Sequence, residues 1–286
     1  MAVWLYGLGA PLNVTYRNVI AAASPFTIGI GLERERASSL VPGGRLRLRF
    51  QNQAIRSEIL GEIGLRLVQV IPFESEQLAL FEARYCRNYC IQTIRLWARH
   101  LYHSSRQSRF RSSHATAQIR MTALAVRSLA VFYICPRPVV LVTAVDGCAV
   151  NIFPMDLIGP IGDRRFSLAL HSTSAGIPLM EHSRKIAVSS LPVEQARAVF
   201  DLGKNHRKAS VNVDQLPFVT VPSPKFGVPV PSAALRIREL EIEAVQAVGS
   251  HKLFVADVVE DYRWARGLHL HFVHGLYQTL RQKTSY

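Results

Sequence analysis

The stretch RPVVLVTAVDGCAVNIFPMDLIGPIG, residues 137–162, decides the fold of the second half of the chain. Its first part, VVLVTAV (139–145), is a continuous run rich in β-branched residues, which is typical of a strand buried on both faces. Asp146 and Gly147 follow this run and predict a hairpin turn. The stretch therefore predicts a buried strand, a tight turn and a second segment led by Asn151.

More strands are predicted on the C-terminal side of this hairpin. RFSLALHSTSAG (165–176) and IAVSSLP (186–192) have strand-like patterns, and the alternating RELEIEAV (238–245) runs toward GSHKLFVADVVED (249–261). Between them, GIPLMEHSRK (176–185) is predicted to be a helix, and residues 191–218 are predicted to form a helix followed by a loop.

Residues 1–130 have a different pattern, for which the sequence gives no role. Residues 12–71 are predicted to be β-rich; in RLRLRF (45–50) the two leucines and the phenylalanine share one face and the three arginines share the other. Residues 75–102 are predicted to form a helix because apolar and aromatic residues recur there at helical spacing, and a second helical piece covers 115–132. This region is therefore predicted to be β-rich over 12–71 and helical over 75–130.

The charge of the chain is concentrated in that first part. The net charge is +14, of which residues 1–130 contribute +10 from 17 arginines and 7 glutamates, with no lysine or aspartate. Nucleic-acid-binding surfaces usually show clustered basic residues or a known module, whereas these arginines are scattered in sequence apart from RQSRFR (106–111). The sequence therefore favours incidental basicity over nucleic-acid binding.

The composition also limits where the protein works. Four cysteines among 286 residues do not indicate a disulfide framework, so a cytoplasmic protein is expected. The longest apolar stretch, 129–145, is too short and too interrupted for a membrane span, which needs about 20 apolar residues. The N-terminus lacks the basic region of a signal peptide.

The strands, the Asp-Gly turn, the Asn-led segment and the late Gly-Ser-His-Lys-Leu-Phe strand (249–254) together resemble the flavin reductase-like, FMN-binding split-barrel family. The resemblance implies an α+β fold with a split β-barrel over 131–263, followed by a C-terminal helix over 264–286. It also implies a homodimer with FMN at the subunit interface and NAD(P)H as co-substrate. A small-molecule electron acceptor is implied as well; no clear nucleic-acid partner is indicated, and no membrane is expected as a partner.

The resemblance implies where the flavin lies. In this family the Asn-led segment cradles the flavin and its phosphate, but Pro154 and Asp156 stand where Thr or Ser is usual. Pro154 has no N–H to donate, and an ionised Asp156 would repel a phosphate. The alternative is that this segment is only a turn between two core strands. The residues assigned to the flavin from this segment are Asn151, Phe153, Met155, Asp156 and Leu157.

Two further segments are implied in flavin binding. The polar loop after the strand at 165–171 would supply hydroxyls to the ribityl phosphate, or else cap the next helix. The basic GKNHRK segment (203–208) would bind a phosphate of FMN or of a nicotinamide cofactor, or else be a solvated charge cluster. The residues assigned from these segments and from the strand at 186–190 are His171, Ser172, Thr173, Ser174, Ser189, Lys204, His206 and Arg207.

His251 is the candidate catalytic residue. In the family the histidine of this motif lies where nicotinamide stacks on flavin, and an imidazole there can bind the cofactor or the substrate. The alternative is a histidine on a surface strand. No metal site is predicted, because Cys86 and Cys90 lack a second ligand pair, and His269, His271 and His274 are expected in a helix on which the first two point apart.

The sequence lacks the Rossmann, P-loop and α/β-hydrolase motifs. The resemblance therefore implies an NAD(P)H-dependent FMN reductase. A non-enzymatic FMN- or haem-binding split-barrel protein is the alternative, and a basic interaction protein driven by the N-terminal half is a third possibility.

Overall fold

The structure, a computed structural model, describes residues 1–41, 43–54, 58–74, 76–91, 94, 97–98, 101, 121–274 and 277. Contacts divide the chain into two units, one made of Met1–Cys135 with Val273–Tyr286 and the other of Pro136–Phe272. No helix within the described ranges is both long enough and apolar enough to cross a membrane.

The first unit is built on a seven-stranded antiparallel sheet with the order β2-β1-β5-β6-β7-β4-β3. Its elements are β1 (Ala2–Tyr6), β2 (Leu12–Asn13), β3 (Asn18–Ala23), β4 (Phe26–Glu33), α1 (Arg34–Ser38), β5 (Leu46–Gln51), β6 (Ile59–Pro72), β7 (Glu76–Asn88) and α2 (Ala123–Phe132).

The β-rich character predicted for residues 12–71 is confirmed. The helix predicted over residues 75–102 is wrong over Glu76–Asn88, which is the long strand β7 between β6 and β4, whereas residues 94, 97–98 and 101 are helical. The second predicted helical piece is confirmed over Ala123–Phe132, where the Thr122 hydroxyl accepts a hydrogen bond from the amide of Ala125. Its first residues, 115–120, lie outside the described residues, as do most of residues 92–120.

The second unit is built on another seven-stranded antiparallel sheet, with the order β10-β9-β13-β16-β17-β12-β11. Two two-stranded sheets accompany it, β14-β15 and β18-β8. The strands are β8 (Arg137–Pro138), β9 (Val140–Asp146), β10 (Ala149–Met155), β11 (Ile158–Pro160), β12 (Arg165–His171), β13 (Lys185–Ser190), β14 (Thr220–Pro222), β15 (Pro229–Pro231), β16 (Arg236–Val248), β17 (His251–Arg263) and β18 (His271–Phe272). The helices are α3 (Ile177–Ser183) and α4 (Ala196–Asp201), with 3₁₀ turns at Val193–Gln195, Leu202–Arg207 and Val213–Gln215.

The first hairpin of this unit is the one predicted. Asp146 pairs with Ala149, and Gly147 has a φ of +58° in the two-residue turn between them, a conformation that glycine adopts without strain. Val142 packs into one apolar cluster with Phe153 and Phe254, whereas Leu141 packs into another with Ile152. Both faces of β9 are therefore buried, as its sequence predicts.

The C-terminal helix predicted from residue 264 is wrong over residues 264–274. His269 bridges to Pro192, and His271–Phe272 is the short strand β18. Of the remainder, Tyr277 is helical, and residues 275–276 and 278–286 lie outside the described residues.

Candidate functional site

The end of β12 and the turn between β16 and β17 lie side by side. His171 and His251 are directly paired across β12 and β17, and their rings meet edge to face with centroids 5.6 Å apart. Ser172 donates to the Ser250 carbonyl from both its amide, at 3.1 Å, and its hydroxyl, at 3.0 Å. We call residues 171–176 the hydroxyl loop. The two hydrogen bonds of Ser172 attach this loop to the β16–β17 turn.

His251 is buried, with 3% of its surface exposed. Its Nδ1 lies 2.9 Å from the Ser250 hydroxyl. Burial, and to a smaller extent the electrostatic interaction with His171, lower the pKa of His251 to about 4. The ring is therefore neutral at pH 7, so it can accept or donate a hydrogen bond but carries no charge toward a ligand.

A second histidine, His206, closes the other side of the hydroxyl loop. Its Nε2 lies 2.8 Å from the Pro154 carbonyl oxygen, which can only accept, so Nε2 carries a proton. The ring packs against Phe153 with centroids 4.8 Å apart. Burial lowers the pKa of His206, and this outweighs the opposite effects of the Pro154 carbonyl and the Asp156 charge. This histidine fixes structure and is neutral at pH 7.

The outer edge of β10 is covered by the segment 205–211. The carbonyls of Val150, Ile152 and Pro154 accept hydrogen bonds from the Val211 amide, at 2.7 Å, the Asn205 side-chain amide, at 2.8 Å, and His206. A proline is tolerated in β10 because this is an edge strand of the sheet.

The hydroxyl loop joins the two histidines. The Ser174 amide donates to the His171 carbonyl and the Ala175 amide to the His206 carbonyl, both at 2.8 Å. Ser172 and Thr173 are exposed on this loop, and the Thr173 hydroxyl is 2.6 Å from Nδ1 of His171. Exposed Lys204 and Arg207 flank His206 on the adjoining 3₁₀ turn. Hydroxyls and cations on adjoining segments are a donor set that fits a phosphate.

Ser174 does not cap α3. The residue at the N-cap is Gly176, without a side-chain hydrogen bond, and the Ser174 hydroxyl instead lies 3.4 Å from the His206 carbonyl. The capping alternative for this loop is therefore wrong, and the loop geometry leaves the hydroxyls of Ser172 and Thr173 at the surface.

Several of the residues assigned to the flavin are structural in their side chains. Phe153 and Met155 are buried in the main apolar cluster of this unit. The Asn151 side-chain amide donates to the carbonyls of Asn205, at 3.2 Å, and Lys208, at 2.6 Å. Ser189 is enclosed between Leu141 and Ile237, and its hydroxyl has no hydrogen-bond partner within the described ranges. These four side chains are buried in the protein interior, so a bound cofactor would contact the backbone of these residues and not their side chains.

Asp156 and Leu157, the last two residues of the Asn-led segment, are half-buried just after β10. The Leu157 carbonyl accepts from the Ala169 amide at 2.9 Å, so this carbonyl is already used within the sheet. The charge of Asp156 opposes the lowering of the His206 pKa, so Asp156 lies near that ring. A negative charge is therefore placed close to the hydroxyl loop, which His206 contacts.

Sequence reasoning missed two residues that hold the site together. Asn205, buried in the basic segment, donates a side-chain hydrogen bond to the Ile152 carbonyl at the edge of β10. The Ser250 carbonyl accepts a hydrogen bond from the hydroxyl loop, and the Ser250 hydroxyl is hydrogen-bonded to His251. The signal for Ser250 was its place before His251 in the Gly-Ser-His motif. Asn205 gave no local signal, because its partner Ile152 is 53 residues away in sequence.

The described residues contain no group of three or more His, Cys, Asp or Glu side chains that could hold a metal ion. Cys86 lies in β7 rather than in a helix, and burial raises the pKa values of Cys86 and Cys90, the latter to about 11. His271 Nδ1 lies 2.8 Å from the His269 carbonyl, and both residues lie on extended backbone, in β18 and in the bridge to Pro192, rather than in a helix.

Solved structures of similar proteins cover somewhat more than half of the chain. The NADH:FAD oxidoreductase SgcE6 of Streptomyces globisporus C-1027 is 19% identical, with 56% of this chain and 95% of that chain covered and a TM-score of 0.48. An FMN-binding protein from Thermus thermophilus is 24% identical, with 57% and 90% covered and a TM-score of 0.44. BorF, the flavin reductase component of a bacterial two-component tryptophan halogenase, is 19% identical, with 52% and 94% covered and a TM-score of 0.47.

No curated protein sequence is significantly similar to the chain. Residues 132–281 match the family described as flavin reductase like domain. This match spans more than half of the 286 residues and includes the hydroxyl loop, His206 and His251. The α+β fold with a split barrel in the second half is confirmed, and the chain belongs to the flavin reductase like domain family.

Proposed function

We propose that the unit Pro136–Phe272 binds FMN and that the protein reduces it with NAD(P)H. The observation that carries this proposal is the hydroxyl loop, because it joins His171 to His206 and presents exposed hydroxyls next to exposed cations. A bound flavin would supply the redox chemistry, as acceptor of a hydride from the nicotinamide and donor of electrons to a small-molecule acceptor.

The phosphate of FMN would be held by Ser172, Thr173, Lys204 and Arg207. Hydroxyls and a guanidinium bind phosphate oxygens with directional hydrogen bonds, and the Lys204 ammonium adds a compact charge. The bond from the Ser172 amide to the Ser250 carbonyl would keep this residue in place when its hydroxyl leaves that carbonyl to donate to a phosphate, so little conformational entropy would be lost.

His251 would position the nicotinamide against the flavin. The pKa of about 4 keeps its ring uncharged at neutral pH, so we assign it a hydrogen-bonding role rather than that of a proton donor. Its contacts with Ser250 and His171 hold the ring in one orientation, as positioning requires.

The test is an FMN titration and an assay of NAD(P)H oxidation on the intact protein. The purified protein should show the visible absorbance of oxidised flavin and lose it on addition of NAD(P)H. His251→Ala should lower the rate of reduction by roughly ten- to a hundredfold, with a change in the dissociation constant of FMN below about threefold. His182→Ala serves as the control, because His182 is exposed at the end of α3 beside Asp146.

A His251→Ala variant with the rate of the parent protein would remove His251 from turnover. A variant that loses FMN would instead place it among the flavin ligands.

A second candidate, a flavin- or haem-binding protein without turnover, is favoured by one observation. The Asp156 charge lies beside His206, and Pro154 has no N–H, so the segment usual for the phosphate offers fewer donors here. A yellow protein that NAD(P)H does not bleach would support this second candidate. The homodimer remains a prediction, which sedimentation equilibrium of the intact protein tests.

A further inference from the structure

In the part of the first unit's sheet that β1 and β5 form, one face is buried and the other is open. Val3, Leu5, Leu48 and Phe50 point to the buried face, where Phe50 meets Phe132 of α2 edge to face. The residues between them in β1 and β5 point the other way, because side chains alternate along a strand. Their partial or full exposure shows that this second face is open.

Aromatic and arginine side chains of β1, β5 and β7 share this open face with residues of β6 and β2. The pairing register of β1, β5, β6 and β7 places them in two rows, since directly paired residues share a face. We call these residues the aromatic–arginine face. One row is Tyr6, Arg47, Gly64 and Tyr85, and the other is Asn13, Trp4, Arg49, Glu62 and Arg87.

Tyr85 is held flat across β6. A Cβ on Gly64 would lie 2.1 Å from the Tyr85 ring, so only glycine leaves room for the ring there. The Tyr85 hydroxyl donates to Glu62 at 3.0 Å, while 43% of the residue remains exposed. The ring is therefore oriented by the sheet and open to solvent, which is what a stacking platform requires.

The arginines of this face lie over the aromatic rings. The Arg49 and Arg47 guanidinium carbons are 4.8 Å and 5.6 Å from the centre of the Tyr6 ring, and that of Arg87 is 5.9 Å from the Tyr85 ring. Glu62 is the one carboxylate in the two rows, and it is bound to Arg49 at 2.7 Å. Three guanidinium groups against one carboxylate leave the face positive.

Side-chain amides border the aromatic end of the face. A cavity of about 620 Å³ is lined by Trp4, Tyr6 and the amides of Asn13, Gln51, Asn52 and Gln53. Amides can both donate and accept hydrogen bonds, so they suit the edges of nucleobases.

We propose that the aromatic–arginine face binds single-stranded nucleic acid. Bases stack on aromatic side chains and phosphates pair with arginine, and this face offers both groups. Tyr6 and Tyr85 lie three strands apart, about 14 Å, and Trp4 and Tyr6 are about 7 Å apart along β1, so one base cannot cover all three rings. The ligand therefore carries several bases. Residues 1–130 carry a net charge of +10, which complements its phosphates.

The experiment is fluorescence anisotropy of the intact protein with a labelled single-stranded oligonucleotide of about 15 nucleotides. Tyr85→Ala should weaken binding about tenfold through loss of one stacking platform, whereas Tyr85→Phe, which keeps the ring, should bind nearly as the parent protein does. Arg47→Gln combined with Arg87→Gln should lower the slope of log affinity against log salt by about 1.4, for two lost phosphate contacts.

The control pair is Arg34→Gln with Arg36→Gln, because both residues are exposed on α1 and the change in charge is the same. Equal losses from the two arginine pairs would show that the basicity is incidental and would overturn the proposal. Heparin or a duplex competing as well as the single strand, a mononucleotide binding as tightly, or no binding at low salt would overturn it too. None of these outcomes bears on flavin reduction.

Discussion

His251 should make the protein less stable in acid, and His251→Gln should remove that sensitivity. An unfolded chain binds a proton at this residue near the ordinary pKa of 6.5, whereas the folded protein does so only near 4. Between these values the unfolded state holds more protons, so the free energy of unfolding falls as the pH falls. One proton corresponds to about 1.4 kcal/mol per pH unit, so the full loss from pH 6.5 to 4 is about 3 kcal/mol.

The assay is urea unfolding of the parent protein and His251→Gln at several pH values between 7.5 and 4.5. Loss of packing lowers the stability of the variant at every pH, so the informative quantity is how the difference between the two proteins changes. That difference should shrink by roughly 2 to 3 kcal/mol on acidification. His206 and His269, whose pKa values are also lowered, are present in both proteins and cancel.

His182→Gln, at an exposed position, is the matched control and should leave the pH dependence unchanged. Parallel stability curves for the parent protein and His251→Gln would refute the reasoning, because they would mean that His251 titrates normally in the folded state.

Two further predictions concern carboxylates of the same unit. Asp156→Ser should tighten FMN binding severalfold by removing a charge that repels phosphate, with Asp163→Ser as control; a titration showing unchanged affinity and unchanged stability would remove Asp156 from the site. Glu239→Ala should lower the free energy of unfolding by about 3 kcal/mol, because this fully buried carboxylate accepts hydrogen bonds from the Ser223 hydroxyl and the amides of Lys225 and Phe226. A urea midpoint equal to that of the parent protein would contradict the role given to Glu239.

Local patterns predicted the second half of the chain well. The β9–β10 hairpin follows from a β-branched run and an Asp-Gly turn, both of which are short-range signals. The helical interpretation of residues 75–88 failed for a physical reason: Leu78–Phe81 is buried on both faces in the middle of a sheet, so the strand shows no alternation there. Farther along β7, a register shift opposite Leu65 interrupts the alternation again. Phe81 and Tyr85 are four residues apart there, a spacing that also occurs along one face of a helix.

The candidate site could be predicted only in part. The Gly-Ser-His motif identified His251 and its strand, because the turn and the strand that follow it are contiguous in sequence. The role of His206 could not be predicted, since its partner Pro154 lies 52 residues away and only the folded chain brings them together. The burial of Ser189 was hidden for the same reason: its neighbours come from β9 and β16.

The covered edge of β10 has a consequence for how the chain meets others. An uncovered edge strand invites strand addition by another polypeptide, which is a common route to aggregation. Here the carbonyls of Val150, Ile152 and Pro154 are already engaged, and Pro154 has no N–H to offer an incoming strand. A foreign strand would have to displace three hydrogen bonds and would find a gap in its ladder. The segment 205–211, which carries Arg207 of the proposed phosphate site, thus also prevents another chain from pairing with this edge of the sheet.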